Sequence, residues 1–125
     1  MNKIIIAVDK LPVFGPYSTA VEADGFIFIS GQIPIEPATG EMIQDIKKAA
    51  RQVLANIQTI LQTTGLKMTN IVKTTIFLKN MDDFTPVNEI YAEFFPQEPP
   101  ARSTIEVSAL PKGALIEIEA IATRK

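Results

Sequence analysis

The order of apolar and polar residues predicts strands at the start of the chain. Residues 21–23 and 26–30 are mostly apolar and flank Asp24-Gly25, a dipeptide that favours a tight β-hairpin turn. Residues 26–29 are all apolar, which places hydrophobic side chains on both faces of the second strand. An apolar run at residues 4–8 precedes this hairpin. We therefore expect three strands here, in a sheet that is covered on both faces at residues 26–30.

A long amphipathic helix is predicted over residues 45–64. Its apolar residues recur at intervals of three and four, which is the spacing of one helix face: Ile46, Ala49, Ala50, Val53, Leu54, Ile57, Ile60 and Leu61. Asp45 can cap the first turn, and Gly65 suits the left-handed position that follows the last turn.

The second half of the chain alternates between strands and a helix. The β-branched run at residues 71–79 predicts a strand. Asp82 or Asp83 then caps a second helix that extends to about Phe95, and Pro86 is tolerated in its first turn. Residues 101–107 and 115–123 predict two final strands. The order β-β-β-α-β-α-β-β indicates an α+β fold, with a mostly antiparallel sheet and two helices packed on one face.

The length and the pattern together indicate one domain that associates with copies of itself. A chain of 125 residues corresponds to a single domain, residues 1–125. Two helices can cover only one face of the sheet, whereas the strand at residues 26–30 is apolar on both. A second copy of the chain is the simplest cover, so we expect a homo-oligomer.

Composition restricts the chemistry of this chain. It contains no His and no Cys, which excludes imidazole and thiolate catalysis and their metal ligation. The net charge of -2 disfavours a nucleic-acid partner. No segment approaches the roughly 20 apolar residues that a membrane helix needs, so we expect a soluble cytoplasmic protein. Acidic residues do not cluster at a metal-binding spacing, and we expect no metal.

The last two predicted strands carry the strongest candidates for chemistry. Alternation places Arg102, Thr104 and Glu106 on one face of the first strand, and Glu117 and Glu119 on one face of the second. A guanidinium can hold a carboxylate with two parallel hydrogen bonds, and a nearby Glu can orient water or move a proton. One interpretation is an anion site on Arg102 with Glu117 beside it. The pattern alone favours the alternative, a solvated face with ion pairs to Arg102.

Three further positions have both a structural and a functional interpretation. Tyr17 follows the turn Gly15-Pro16 and either anchors the loop or lines a pocket. Ser30-Gly31-Gln32 ends a buried strand, where glycine allows a turn or where backbone N–H groups can meet a ligand. Asn88 lies on an apolar helix stripe, and we expect it to be a buried amide whose hydrogen bonds hold a loop.

Taken together, these residues make the sequence resemble the RidA/YjgF family of enamine/imine deaminases. The matching segments lie in collinear order from about Gly15 to the C-terminus: Gly15-Pro16-Tyr17-Ser18, Ser30-Gly31-Gln32-Ile33-Pro34, Val72-Lys73-Thr74-Thr75, Asn88 with Tyr91 and Phe94-Phe95, Pro100-Ala101-Arg102-Ser103, and Ile116-Glu117-Ile118-Glu119-Ala120. The last two segments at this spacing are the signature of that family.

The resemblance implies a chorismate-mutase-like α+β fold, assembled as a homotrimer with pockets between subunits. It implies hydrolysis of 2-imino acids, such as 2-iminopropanoate and 2-iminobutanoate, to 2-keto acids and ammonia without a cofactor. By the same resemblance, Arg102 binds the substrate carboxylate and Glu117 holds or activates the attacking water. The other substrate-binding positions that it implies are Tyr17, Ser30, Gly31, Asn88 and Thr104. Many family members carry Cys where this chain has Thr104, which can change the size and polarity of the pocket.

Three other functions compete with this interpretation. A non-catalytic member of the same family would bind a small carboxylate or a protein partner through Arg102 and act as a regulator. An RNA-cleaving or translation-inhibiting activity is disfavoured by the acidic composition and the absence of His. A chorismate mutase would need more cationic residues around a dicarboxylate substrate.

Overall fold

Six strands form one sheet in the computed structural model, which describes residues 2–125. The strands are β1 (Ile4–Ile6), β2 (Ala20–Ala23), β3 (Phe26–Gln32), β4 (Ile71–Leu78), β5 (Ala101–Glu106) and β6 (Ile116–Thr123). The helices are α1 (Ile46–Thr63) and α2 (Phe84–Phe94), and short 3₁₀ turns span Met68–Asn70, Met81–Asp83 and Pro111–Gly113. The spatial order is β1-β2-β3-β6-β4-β5, in which only the β4–β5 pair is parallel. The predicted α+β class and the predicted order of elements are therefore confirmed.

Local capping sets the ends of the first helix and only partly those of the second. The Asp45 carboxylate accepts the Lys48 N–H at 3.1 Å, and Gly65 adopts a φ of 79° after α1, as predicted. In contrast, α2 begins directly after Asp83 without a side-chain capping bond. Asn80 instead accepts the Asp82 N–H at 2.9 Å and caps the preceding 3₁₀ turn. The prediction that an aspartate side chain caps the second helix is wrong, because the preceding turn already orders this segment.

Both helices pack on one face of the sheet, which we call the helix-covered face. The apolar stripe of α1 is buried as predicted, except that Ile46 is half-buried. The helices cover alternate buried residues of three strands: Ile27 and Ile29 of β3, Thr74, Ile76 and Leu78 of β4, and Ile116, Ile118, Ala120 and Ala122 of β6. The one polar side chain in that set is satisfied, because Thr74 Oγ1 and the Tyr91 hydroxyl share a 2.6 Å hydrogen bond. The core between the helices and strands β3, β4 and β6 is therefore closed within one chain.

The opposite face, which we call the open face, is uncovered by any helix among residues 2–125. Phe26 and Phe28 project from it and are 44% and 46% exposed, although Ile27 and Ile29 of the same strand are buried. Strand β3 is therefore apolar on both sides, as its sequence predicts. Within the part of the chain that is described, no helix is long and apolar enough to cross a membrane.

Candidate functional site

The residues predicted to form the site divide between two hollows on the surface of the chain. Tyr17, Gly31 and Glu117 line the first, a cavity of about 170 Å³ that we call the glutamate hollow. Asn88 and Arg102 line the second, together with Tyr91, and we call it the arginine hollow. Each hollow contains one of the two proposed catalytic groups.

Arg102 is held by aromatic rings. Its guanidinium carbon lies 4.9 Å from the centre of the Tyr91 ring and 5.5 Å from that of Phe84, at distances typical of cation–π contacts. No ion pair to Arg102 forms among residues 2–125. The cross-strand ion pairs that the pattern favoured are therefore absent from the described chain. The guanidinium is oriented by π faces, and its N–H donors remain available to an anion.

The aromatic support of Arg102 is itself fixed and neutral. Burial raises the pKa of the Tyr91 phenol, so this ring carries no charge at neutral pH. Its hydroxyl is tied to Thr74, and its ring packs on Phe95 with the centroids 4.6 Å apart. Tyr91 therefore connects the arginine hollow to the rigid helix-covered core.

Asn88 lies at the margin of the core and not inside it. The buried side of α2 consists of Val87, Ile90 and Tyr91, and this leaves Asn88 half-buried in the arginine hollow. The expectation of a buried amide is wrong, because a helix this short buries only a narrow stripe against the sheet. A half-buried amide beside a guanidinium can instead donate to a bound ligand.

Glu117 lies on the open face, against the backbone of the neighbouring strand. A β-bulge interrupts the pairing of β3 with β6 between Ile29 and Gln32, and Gly31 lies within it. A Cβ at Gly31 would stand 2.5 Å from Glu117 Oε2. Only glycine therefore leaves room for the carboxylate, and the bulge with its glycine forms a cradle for Glu117.

The surroundings of Glu117 favour its protonated form. Burial raises the pKa of this carboxyl, and the charge of Glu119 raises it further. No ion pair to Glu117 forms within residues 2–125 that would oppose this shift. A carboxylate with a raised pKa is a stronger base than an exposed one, and such groups are common in catalytic sites.

Tyr17 lines the glutamate hollow, and Ser30 holds the loop that carries Tyr17. The Tyr17 hydroxyl accepts the Phe14 N–H at 3.2 Å, which folds the loop so that the phenol lines the hollow. Ser30 donates its hydroxyl to the Ser18 carbonyl at 2.6 Å and ties this loop to β3. Tyr17 is therefore placed to contact a ligand, whereas Ser30 positions the loop.

Thr104 shares the face of Arg102 but lines neither hollow. Its Oγ1 is buried and has no hydrogen-bond partner among the described residues. An unsatisfied buried hydroxyl costs about 1–3 kcal/mol.

Arg102 and Glu117 are not brought together within one chain. Arg102 is paired in register with Thr74 of β4 and points to the helix-covered face. Glu117 is paired in register with Phe77 of β4 and points to the open face. The interpretation that places Glu117 beside Arg102 is wrong within one chain, since β4 lies between β5 and β6. Strands β4 and β5 are joined through α2, and such a crossover makes them parallel. Strand β6 pairs with the other edge of β4, between β4 and β3.

Sequence reasoning missed the apolar walls of the glutamate hollow. Besides the predicted residues, the lining comprises Leu11, Pro12, Phe14, Gln32, Ile33, Ile35, Asn56 and Pro111. A visible signal was the proline-flanked segment that carries Phe14 and Tyr17, two aromatic residues in a predicted loop. Asn56, a buried polar residue of α1, was a second signal.

Comparisons with known proteins agree on one family. The family model described as Endoribonuclease L-PSP matches residues 8–124. A RutC family protein of Pyrococcus horikoshii is 49% identical over 126 residues, and a 2-iminobutanoate/2-iminopropanoate deaminase of Escherichia coli K12 is 45% identical over 128 residues. Both alignments cover 100% of each chain. The crystal structure of the E. coli YjgF gene product matches with a TM-score of 0.93 and 46% identity, over 98% of this chain and 99% of that one.

Proposed function

Because the chain belongs to the RidA/YjgF family, we propose that it hydrolyses 2-imino acids, such as 2-iminopropanoate and 2-iminobutanoate, to 2-keto acids and ammonia. The observation that carries the proposal is the guanidinium of Arg102, which two aromatic rings orient and which no ion pair occupies among residues 2–125. Such a group is suited to bind a small carboxylate. The full-length likeness to a relative named for this deaminase activity supports the same substrate class.

We propose that the working unit is a homotrimer, with each site between two subunits. The open face has exposed aromatic side chains that a second copy would cover. Arg102 and Glu117 lie on opposite faces of one chain, so a single chain cannot hold one substrate between them. Contact between the arginine hollow of one subunit and the glutamate hollow of its neighbour would complete a site.

In the proposed mechanism, Arg102 binds the substrate carboxylate and so fixes the position of the C=N carbon. Glu117 of the neighbouring subunit accepts a hydrogen bond from a water molecule and directs its oxygen to that carbon. As the new C–O bond forms, the C=N π electrons pass to nitrogen, which takes up the proton that the water loses. The product is a carbinolamine that bears OH and NH2 on one carbon. Transfer of the hydroxyl proton to nitrogen and cleavage of the C–N bond then release ammonia and leave the 2-keto acid. Tyr17 and Asn88 are placed to contact the substrate.

The first test is clearance of an imine in an assay coupled to threonine dehydratase. We expect Arg102→Ala to reduce turnover about 30- to 1000-fold, because loss of the carboxylate contact costs on the order of 2–4 kcal/mol. Arg51→Ala is the matched control, since Arg51 pairs with Glu93 on the helix surface and should retain full activity. An Arg102→Ala variant as active as the parent would overturn the proposal.

A mixing experiment tests the shared site directly. Arg102→Ala and Glu117→Gln subunits are each expected to be inactive alone. When the two are co-expressed, an Arg102 from one subunit and a Glu117 from the other can meet at one interface of each mixed trimer. Random mixing should then restore about a quarter of the parental activity. A mixture as inactive as its parts would contradict a site shared between subunits.

A non-catalytic role in the same family is the second candidate. Some relatives, including that of P. horikoshii, are named only for their family. This role requires Arg102-dependent binding of a small carboxylate, such as pyruvate, without faster imine hydrolysis. Calorimetric titration of pyruvate beside the coupled assay separates the two functions.

The description of the family model favours a third candidate, RNA cleavage. Catalysis of this kind would have to proceed without His, because the chain contains none. Incubation of labelled RNA with the parent and with Glu117→Gln tests it. Cleavage that is present in the parent and lost in the variant would favour a nuclease.

A further inference from the structure

The shape of the glutamate hollow restricts the side chain of the substrate, provided that the proposed function holds. The reacting carbon of a 2-imino acid bears a carboxylate, a nitrogen and a side chain. Arg102 takes the carboxylate, and Glu117 with its water faces the C=N bond. The space that this chain provides for the side chain is the part of the glutamate hollow beside Glu117.

That space is apolar and larger than a methyl or ethyl group requires. Its walls include Leu11, Phe14, Ile33, Ile35 and Pro111, and its volume is about 170 Å³. An apolar cavity of about 150 Å³ can hold a benzene ring. A methyl side chain would leave most of the hollow without contacts, whereas a branched or aromatic side chain would fill it.

The polar groups around this space do not compete for the side chain. Asn56 is almost fully buried, its amide donates to the Ile35 carbonyl at 3.0 Å, and its oxygen accepts from Gln52 at 2.8 Å. The Gln32 amide donates to the Ser30 carbonyl at 3.1 Å. Because these amides form hydrogen bonds within the protein, an apolar ligand in the cavity would contact mainly hydrocarbon surface.

The outer wall of the hollow is held in place by contacts of its own. The ammonium of Lys112 lies 4.5 Å from the centre of the Phe14 ring, and the Phe14 N–H donates to Tyr17. These contacts hold an exposed ring at the mouth of the cavity without substrate. The side-chain space is therefore formed in advance, which lowers the cost of filling it.

We propose that this protein prefers 2-imino acids with bulky apolar side chains, such as isobutyl or benzyl, over 2-iminopropanoate. Each added methylene that leaves water for such a wall contributes about 0.8 kcal/mol, or about fourfold. Replacing methyl by isobutyl adds three carbons, so kcat/KM should rise at least about tenfold.

The test compares imines that an amino-acid oxidase generates from alanine, 2-aminobutanoate, leucine and phenylalanine. Release of the 2-keto acid is measured in competition with semicarbazide, which traps the free imine. We expect kcat/KM to increase from the alanine-derived to the leucine-derived imine. A flat or falling series with clear activity on the small imines would overturn this inference and leave the proposed function intact. No acceleration of any imine would overturn the proposed function instead.

Variants connect the preference to the hollow. Phe14→Ala removes one wall and should lower the leucine-to-alanine ratio of kcat/KM about fivefold or more. Val13→Ala is the matched control, because Val13 is exposed in the same loop but does not line the hollow. A ratio that Phe14→Ala leaves at the parental value would show that the side chain binds elsewhere.

Binding of the 2-keto acid products gives a readout that does not need turnover. Calorimetry should rank 4-methyl-2-oxopentanoate and phenylpyruvate about tenfold tighter than pyruvate in the parent, with a smaller difference in Phe14→Ala. Equal affinity for all three in the parent would overturn the inference even if imine hydrolysis is fast.

Discussion

The two faces of the sheet differ in how far one chain buries their apolar side chains and pairs their polar groups. On the helix-covered face, the Ile and Ala side chains of β6 pack against α1, and the buried Thr74 hydroxyl is paired with Tyr91. The open face carries the exposed rings of Phe26 and Phe28, and also Glu117 and Glu119, two carboxylates without ion pairs among residues 2–125. One face meets the demands of stability within the chain, and the other leaves both apolar surface and charge unmatched.

The difference indicates why the Glu117 half of the proposed site lies on the open face. A close-packed face tolerates little change, because its side chains have few alternative positions. The open face has the bulge at Gly31, the raised pKa of Glu117 and the mouth of the glutamate hollow. The bulge at Gly31 and the shifted carboxyl of Glu117 therefore lie together where one chain leaves the sheet uncovered.

The largest expected effect is a difference in stability loss between substitutions at two neighbouring residues of β3, one on each face of the sheet. Ile27→Ala removes a fully buried side chain and should lower the free energy of unfolding by about 2–5 kcal/mol at any protein concentration. Phe28→Ala changes the open face, so this variant should be less stable than the parent only at protein concentrations where the parent is oligomeric. The variant should also have a lower oligomeric mass in solution. Urea unfolding at several protein concentrations, with sedimentation, measures both. Equal and concentration-independent losses would contradict the proposed difference between the faces.

A smaller effect is expected from Gly31→Ala. The new Cβ would approach the Glu117 carboxylate to 2.5 Å, and a carboxylate is at the end of a flexible side chain that can move away. We therefore expect near-normal stability but about 10- to 100-fold slower imine hydrolysis, since displacing a catalytic group by about 1 Å has an effect of that size.

Gly15→Ala is the matched control for this substitution. Its Cβ would meet the Tyr17 ring at 3.8 Å, which is an ordinary contact. The variant should keep parental rates. A Gly31→Ala enzyme that is equally fast would mean that the position of Glu117 is not critical.

Local features could be predicted from the sequence, whereas the pairing of distant segments could not. The cap at Asp45, the turn at Gly65 and the two-sided strand at Phe28 depend on residues close in sequence, and the structure contains each of them. The positions of Arg102 and Glu117 depend on which strands become neighbours. The alternation of apolar and polar residues predicts which side chains share a face of a strand, but it does not predict which strand pairs with which. The separation of Arg102 from Glu117 by β4 therefore could not be predicted.

Burial at the margins was the other feature that the sequence could not specify. Asn88 falls on an apolar stripe, yet the width of the helix–sheet contact leaves it half-buried. The hydroxyl of Thr104 is buried and has no hydrogen-bond partner among the described residues, a property that depends on the packing around a single atom. Such properties arise from three-dimensional contacts that periodicity does not encode.

The smallest expected effect concerns the pH dependence of folding stability that arises from Glu117 on the open face. Burial and Glu119 raise the pKa of Glu117 in the folded chain above its value in the unfolded chain. Its contribution to stability is therefore fully present at low pH and is lost as pH rises through the raised pKa. Replacing it with Gln removes this loss, so the stability of Glu117→Gln relative to the parent should increase as pH rises.

Activity should follow the opposite trend, because the proposed mechanism uses the carboxylate form of Glu117. The rate of imine hydrolysis in the parent should fall as pH drops through the raised pKa, at a pH above that of an ordinary exposed Glu. Glu119→Gln removes one cause of the shift and should move this limb of the profile to lower pH. Unfolding and rate profiles of the three proteins between about pH 4 and 8 measure both trends. If Glu119→Gln leaves the limb unmoved, the charge of Glu119 does not control Glu117, and burial in the Gly31 cradle alone sets its proton affinity.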